Sequence, residues 1–269
     1  MGTPAIYNLD HLGVVAGIID DIDLVSLVDE HVGDDRPDGL STGLVVKAML
    51  LNSLGMVSAP LYLFSQFFEG KATEHLLGEG IHPAMLNDDR LGRALDRLWQ
   101  WGLNDLFMRV ALHAVKHYGV EVSRVHLDST SMAVEGAYRS ALADAPAASA
   151  STIRICHGYS RDHRPDLKQF MMNLISTGDH GIPLMLSMAD GNQVDSQVLG
   201  ELMTRFAQQW TFDGIHVADA ALYRADNLEP LGSLQWVTRV PLRLAAASAL
   251  LDEIHPSSFV PSRVVRTLR

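Results

Sequence analysis

Apolar residues recur at helical spacing through the first 120 positions, and the period shortens to two after that. Val14, Val15, Ile18, Ile19, Ile22, Val25 and Leu27 predict a single helix over residues 12–31. Gly33-Asp34-Asp35-Arg36-Pro37-Asp38-Gly39 reads as a loop. Ser41 is an N-cap for a second helix that runs to Leu54 with Leu44, Ala48 and Leu51 on one face, and Gly55 can end it. Pro60 opens a third helix over residues 61–68, aromatic on several sides and so expected to be buried or pressed against a partner. Asn87 or Asp88 caps the next helix, which carries Leu91, Leu95 and Leu98 until Gly102 breaks the pattern. Asn104 caps a last helix with Leu106, Phe107, Val110, Ala114 and Tyr118.

Beyond residue 120 strands are expected. Val120-Glu121-Val122 and Val125-His126-Leu127 predict a short buried strand that ends in the carboxylate of Asp128. Residues 136–152, rich in Ala and Ser, read as a flexible connection. Strands at Phe170–Ser176 and Ile182–Met188 are joined by the hairpin loop Thr177-Gly178-Asp179-His180-Gly181. Asp195 caps a helix with Val198, Leu199, Leu202, Met203 and Phe206 on one face, the methionines serving as core filler. A strand at Gly214–Ala218 delivers Asp219, residues 223–228 form a short helix, and residues 234–240 form a last strand before Pro241. The expected fold class is α+β: an all-helical domain over residues 1–120, then a mixed α/β core over residues 121–269.

Composition narrows the class. Of 269 residues, 47% are apolar and 20% charged, the balance of a globular protein. No apolar run is long enough for a membrane helix, and Met1-Gly2-Thr3-Pro4 does not open a secretion signal. Cys156 is the single cysteine, so no internal disulfide is expected and a reducing cytosol fits. The net charge of −11 argues against a general nucleic-acid binder. It is unevenly spread: residues 1–150 carry 10 Lys+Arg against 20 Asp+Glu, and residues 151–269 carry 11 against 12. DNA contact would lean on the second half, where ten of the eleven basic residues are arginine, suited to bidentate phosphate contact. The acidic first half serves solubility equally well. Its short helices are compatible with a helix-turn-helix reader, although no basic recognition helix stands out and a plain bundle or oligomerisation module fits the same spacing.

Three features carry candidate chemistry. Asp128 reads either as a turn residue bonded to nearby amides or as a ligand. The stretch His157–Phe170 sets Arg161, His163, Arg164 and Lys168 beside Tyr159, which suits either a phosphate-gathering cluster or a solvated loop. Asp219 follows another strand. In a ribonuclease-H-like order the first and fourth strands are neighbours, which would bring the two aspartates together. Two carboxylates ~4 Å apart repel by roughly 4 kcal/mol at a near-surface dielectric. A cation between them removes that cost, and Mg²⁺ takes one or two carboxylates plus water and phosphate oxygens. Such ions activate a hydroxyl on one side and hold a leaving oxygen on the other.

His126-Leu127-Asp128-Ser129-Thr130-Ser131, the run from His157 to Gln169, and Val217-Ala218-Asp219-Ala220-Ala221-Leu222-Tyr223 resemble bacterial insertion-sequence transposases of the DDE type. Val46-Lys47-Ala48-Met49, Pro60-Leu61-Tyr62-Leu63-Phe64 and Leu86–Leu95 resemble the helical domain that precedes the catalytic core in one branch of that group. The likeness spans residues 10 to 245. It implies a ribonuclease-H-like core, Asp128 and Asp219 as catalytic metal ligands, Mg²⁺ or Mn²⁺ as cofactor, and DNA strand cleavage and transfer at element ends. It also implies DNA as partner (the element's terminal repeats and a target), a homo-oligomer without membrane attachment, and a cytoplasmic, nucleoid-associated location. Tyr159, Arg161, His163, Arg164 and Lys168 would contact DNA. The family's third carboxylate is a Glu in a helix, flanked by Tyr, Arg and Lys. Glu229 lies too close to Asp219; Glu253, 34 positions on, stands at a fitting distance but without the flanking residues. A core truncated at its C-terminus is therefore expected. The alternatives are a catalytically incomplete remnant that binds DNA or a full-length partner, and an unrelated metal-dependent nuclease with the same core.

Overall fold

The computed structural model describes residues 6–33, 39–138, 153–160, 163–194 and 198–260. The chain divides into two units, residues 1–121 with 182–186, and residues 122–181 with 187–269. The fold class is α+β, as expected. Among the described residues, no helix is long and apolar enough to cross a membrane.

The first unit is helical. The stretch expected as one helix is two, α1 (Leu12–Asp21) and α2 (Leu24–Val32), because Asp23 turns into the left-handed region at φ 52°. Asp20, Asp21 and Asp23 crowd the C-terminal end of α1, where the helix dipole disfavours negative charge. Two of them find cationic or polar partners elsewhere: Lys47 Nζ donates to Asp20 at 2.6 Å and the Tyr118 hydroxyl to Asp21 at 2.7 Å. That second bond, with the neighbouring His117, holds the Asp21 carboxyl below its ordinary range. Helix α3 (Thr42–Ser53) starts where the N-cap was expected, with Ser41 Oγ accepting from the Leu44 N–H at 3.2 Å. Gly43 lets α3 approach α2: a Cβ there would lie 2.3 Å from the Val25 carbonyl oxygen, and its N–H donates to buried Asp29 at 2.7 Å.

The aromatic stretch forms a 3₁₀ turn, Leu61–Leu63, and a single α turn, α4 (Phe64–Phe67). Phe64 and Phe68 point inward, while Tyr62 stays exposed. Helix α5 (Thr73–Leu77) was not expected. Helix α6 (Asp88–Trp101) is capped by Asn87 Oδ1, which accepts from the Arg90 N–H at 3.0 Å. Asn104 does not cap the following helix. α7 (Leu103–His117) begins directly after Gly102, whose φ of 91° turns the chain from one helix into the next. The core holds Leu12, Leu51, Phe64, Phe68, Leu86 and Leu91, with Val28 and Leu106 in a neighbouring cluster.

The second unit is built on a five-stranded mixed sheet in the order β3-β2-β1-β4-β5. Its strands are β1 (Arg124–Val134), β2 (Lys168–Thr177), β3 (Pro183–Ala189), β4 (Ile215–Ala218) and β5 (Trp236–Thr238). β1 is central, antiparallel to β2 from Val125↔Thr177 to Val134↔Lys168 and parallel to β4 from Arg124↔Ile215 to Leu127↔Ala218. The first and fourth strands are thus neighbours, as in a ribonuclease-H-like sheet. Two expectations fail. Residues 120–122 are not strand, and β1 does not end at Asp128 but continues six residues to Val134. Ser129 and Ser131 face the buried side, and Ser129 Oγ donates across the ladder to Asn173 Oδ1 at 2.6 Å. That bond satisfies a hydroxyl the core would otherwise exclude.

Helix α8 (Leu199–Gln209) buries Leu199, Leu202, Met203 and Phe206. Phe206 meets His216 of β4 edge to face, 6.1 Å between ring centres, so α8 lies on the sheet face that carries Leu127 and Ala218. The expected cap Asp195 lies outside the described residues. Helix α9 (Ala225–Leu228) follows β4, and α10 (Ala245–Glu253) buries none of its residues.

Candidate functional site

The strand alternation decides where the aspartates stand. Val125, Leu127, Ser129 and Ser131 are buried under the helix side of β1, so His126 and Asp128 are presented on the other face, and both are exposed. On β4 the same alternation buries His216 and Ala218. Leu127↔Ala218 is the last matched pair of the two parallel strands, and Asp128 and Asp219 are each the next residue. Neighbouring strands lie about 4.8 Å apart.

Each carboxylate is half committed to backbone. Asp128 Oδ1 accepts from the Ser129 N–H at 2.8 Å. Asp219 Oδ1 accepts from the Ala221 N–H at 2.9 Å, capping the 3₁₀ turn Ala220–Leu222. The Thr238 hydroxyl from β5 donates to the Asp219 carbonyl and steadies that turn. Backbone bonding and the ligand role are therefore compatible, since Oδ2 of each residue takes no protein hydrogen bond among the described residues. A pair of oxygens on adjacent strands, one within β1 and one directly after β4, suits a hard cation that completes its shell with water and phosphate. Glu253 is exposed at the end of α10. Among the described residues, no group of three or more His, Cys, Asp or Glu is placed to hold a metal ion, so Glu253 is not gathered with the two aspartates.

The basic cluster is more strongly tied than its sequence suggests. Lys168 Nζ donates to the Ala137 and Tyr138 carbonyls at 2.7 and 2.8 Å, bracing the chain where it leaves β1. Arg164 forms a two-point pair with Asp166, Nε to Oδ1 at 2.8 Å and Nη2 to Oδ2 at 2.7 Å. That pairing lowers the Asp166 pKa and raises that of Arg164. His163 is exposed with φ at 57°, and Tyr159 is 86% exposed. Arg161 lies outside the described residues.

Sequence reasoning missed what anchors this segment. Gln169, 3% exposed, donates from Nε2 to the Gly191 carbonyl at 2.7 Å and to the Tyr159 carbonyl at 3.2 Å. Cys156 and Gln169 exchange backbone bonds of 3.2 and 2.9 Å. Arg154 grips Asp190 through its N–H and its guanidinium, at 2.8 and 2.7 Å. Partial burial works to raise the Asp190 pKa, but the two contacts from Arg154 outweigh it and the carboxyl titrates below its ordinary range. The readable signal was Gly158 with Gly191: a Cβ on the first would lie 2.0 Å from the Gly191 carbonyl oxygen, and a Cβ on the second 2.0 Å from that of Gln169.

Comparison with known proteins bears mainly on the helical unit. Residues 4–112 match a family model described as a domain of unknown function, DUF4277. No curated protein matches the chain. Two solved structures are similar. A Mos1 transposase paired-end complex with left transposon end is 11% identical, with 81% of this chain and 76% of that chain covered and a TM-score of 0.28. A pre-cleavage Mos1 transpososome is 10% identical, with coverage of 81% and 77% and the same score of 0.28. A score this low does not establish a shared fold.

Proposed function

We propose that this protein is a DNA transposase of an insertion sequence, which cleaves and joins DNA strands at element ends with Mg²⁺ or Mn²⁺. The observation that carries the reading is the placement of Asp128 and Asp219, side by side beyond the last matched pair of two parallel strands and both exposed. Together with the sequence resemblance, this supports a reading in which the two aspartates hold the metal. The cation would draw in phosphate oxygens and lower the pKa of an attacking water or 3′-hydroxyl. The protein's part is to hold the two carboxylates fixed. The central strand does this for Asp128, and the Ala221 and Thr238 contacts do it for Asp219.

The exposed Tyr159 and His163, with Arg161, Arg164 and Lys168, form the proposed DNA contact, in a homo-oligomer. Asp128→Asn and Asp219→Asn should each reduce Mn²⁺-dependent nicking of element-end DNA by more than 100-fold, with the thermal midpoint little changed because Asn keeps the carbonyl that accepts the backbone N–H. Nicking that survives either change would sink the metal assignment. A second reading, a DNA-binding remnant without cleavage, is favoured by the lack of a third acidic or His ligand beside the pair among the described residues. Specific element-end binding with no nicking in either metal selects it.

A further inference from the structure

On the sheet face opposite the aspartates, a cavity of about 300 Å³ opens between β2, β3 and α8. Its size is at the lower end of ligand clefts, ~300–1,000 Å³. Its lining is unusual for the core of a sheet. Asn173, 4% exposed, and Ser187, 8% exposed, form a polar floor. Asn173 lines the cavity and uses Oδ1 to accept from Ser129, so the amide has Nδ2 as its donor group. Glu201 and Arg205 form the rim, exposed and one turn apart on α8. At that spacing a Glu and an Arg ordinarily pair. Here they do not. Arg205 reaches instead to Ser187 Oγ at 3.3 Å, and Glu201 has no ion pair among the described residues.

We propose that this cavity binds a single guanine-type nucleobase. A carboxylate beside a guanidinium complements a planar edge on which two N–H donors adjoin a carbonyl. Guanine carries N1–H and N2–H₂ next to O6 and N7, whereas adenine, cytosine and thymine each carry a single donor group. Glu201 accepts from N1–H and N2–H₂. Arg205 and the Asn173 amide donate to O6 and N7, the pairing guanidinium groups favour. A charge pair held apart at the rim of a polar pocket is satisfied when the base enters. The site makes no use of Asp128 or Asp219, so it stands apart from the metal reading.

The test is calorimetric titration of the full chain with guanosine, adenosine, cytidine and thymidine. In parallel, an oligothymidine carrying one dG is compared with plain oligothymidine. Guanosine should bind at least ten-fold tighter than the other nucleosides. Glu201→Gln should weaken it at least ten-fold without moving the thermal midpoint, Glu201 being exposed, and Arg205→Met should weaken it at least ten-fold with a somewhat lower midpoint, because Ser187 Oγ loses its Arg205 partner. Preference for the dG strand over plain oligothymidine identifies the source as a base in a strand; binding of guanosine alone identifies a free nucleoside. Equal affinity for all four nucleosides, no saturable binding, or unchanged affinity in both variants overturns the proposal.

Discussion

Asp128 and Asp219 each give one oxygen to a nearby backbone N–H and keep the other; for Asp219 that bond caps a turn, and for Asp128 it is made within β1 rather than in the turn weighed from the sequence. His216 makes a separate residue-scale point. It is 1% exposed, and its Nδ1 is bonded to the Gln235 carbonyl at 3.2 Å. Burial lowers its pKa from 6.5, and that backbone bond offsets the effect only in part. The unfolded chain therefore binds a proton at a pH where the folded chain does not. The stability contributed is complete above pH 6.5 and is lost as the pH falls from there toward the lowered folded value. At its steepest one such group changes stability by about 1.4 kcal/mol per pH unit. Urea unfolding between pH 7.5 and 5 should show this slope, and His216→Phe, set against Phe206 and Phe212, should flatten it. An unchanged slope would assign the acid sensitivity to other groups. Neither the burial nor the partners of His216 can be read from Gly214–Ala218 alone, because Phe206 arrives from α8 and the Gln235 carbonyl from the residue before β5.

At the scale of elements, the helix ends marked by caps were legible: Ser41, Asn87 and Gly102 act where their chemistry puts them. Ser41→Ala should cost about 1 kcal/mol, as N-cap losses do. Gly43→Ala should cost about 1–3 kcal/mol as overpacking against α2, and both are measurable by denaturant unfolding. The break at Asp23 was not legible, since apolar spacing continues across it and the left-handed turn is chosen by the packing of α2 against α3. The extension of β1 was missed for a related reason. Asp-Ser-Thr-Ser has the composition of a turn, and only the partner strand, through Asn173 and the register to Lys168, makes it strand. The His157–Gln169 motif divides by the same logic. Lys168→Met should loosen the β1 exit, seen as faster hydrogen exchange around residues 132–138. Gly191→Ala should release residues 154–159 to proteolysis by colliding with the Gln169 carbonyl.

For the whole molecule, a net charge of −11 means that any DNA interface works against the overall field. Phosphate contacts should still make binding fall with salt, log affinity dropping linearly with log salt at a slope set by the few phosphates contacted, while screening of the net repulsion works against that fall. A flat salt response would argue against phosphate contact by the second half. Sequence alone determined the division into a helical part and a sheet part, because the hydrophobic period is a local property of each segment. It also placed an aspartate directly after each of two apolar runs, since that depends only on adjacency in the chain. Tertiary structure decided the rest: that those runs are neighbouring parallel strands in register, that Ser129 and Ser131 are core residues, that Lys168 and Arg164 are tied to neighbours, and that Asn173, Ser187, Glu201 and Arg205 surround one cavity. Each depends on contacts between residues far apart in the chain, where pairing and burial rather than local propensity set the free energy.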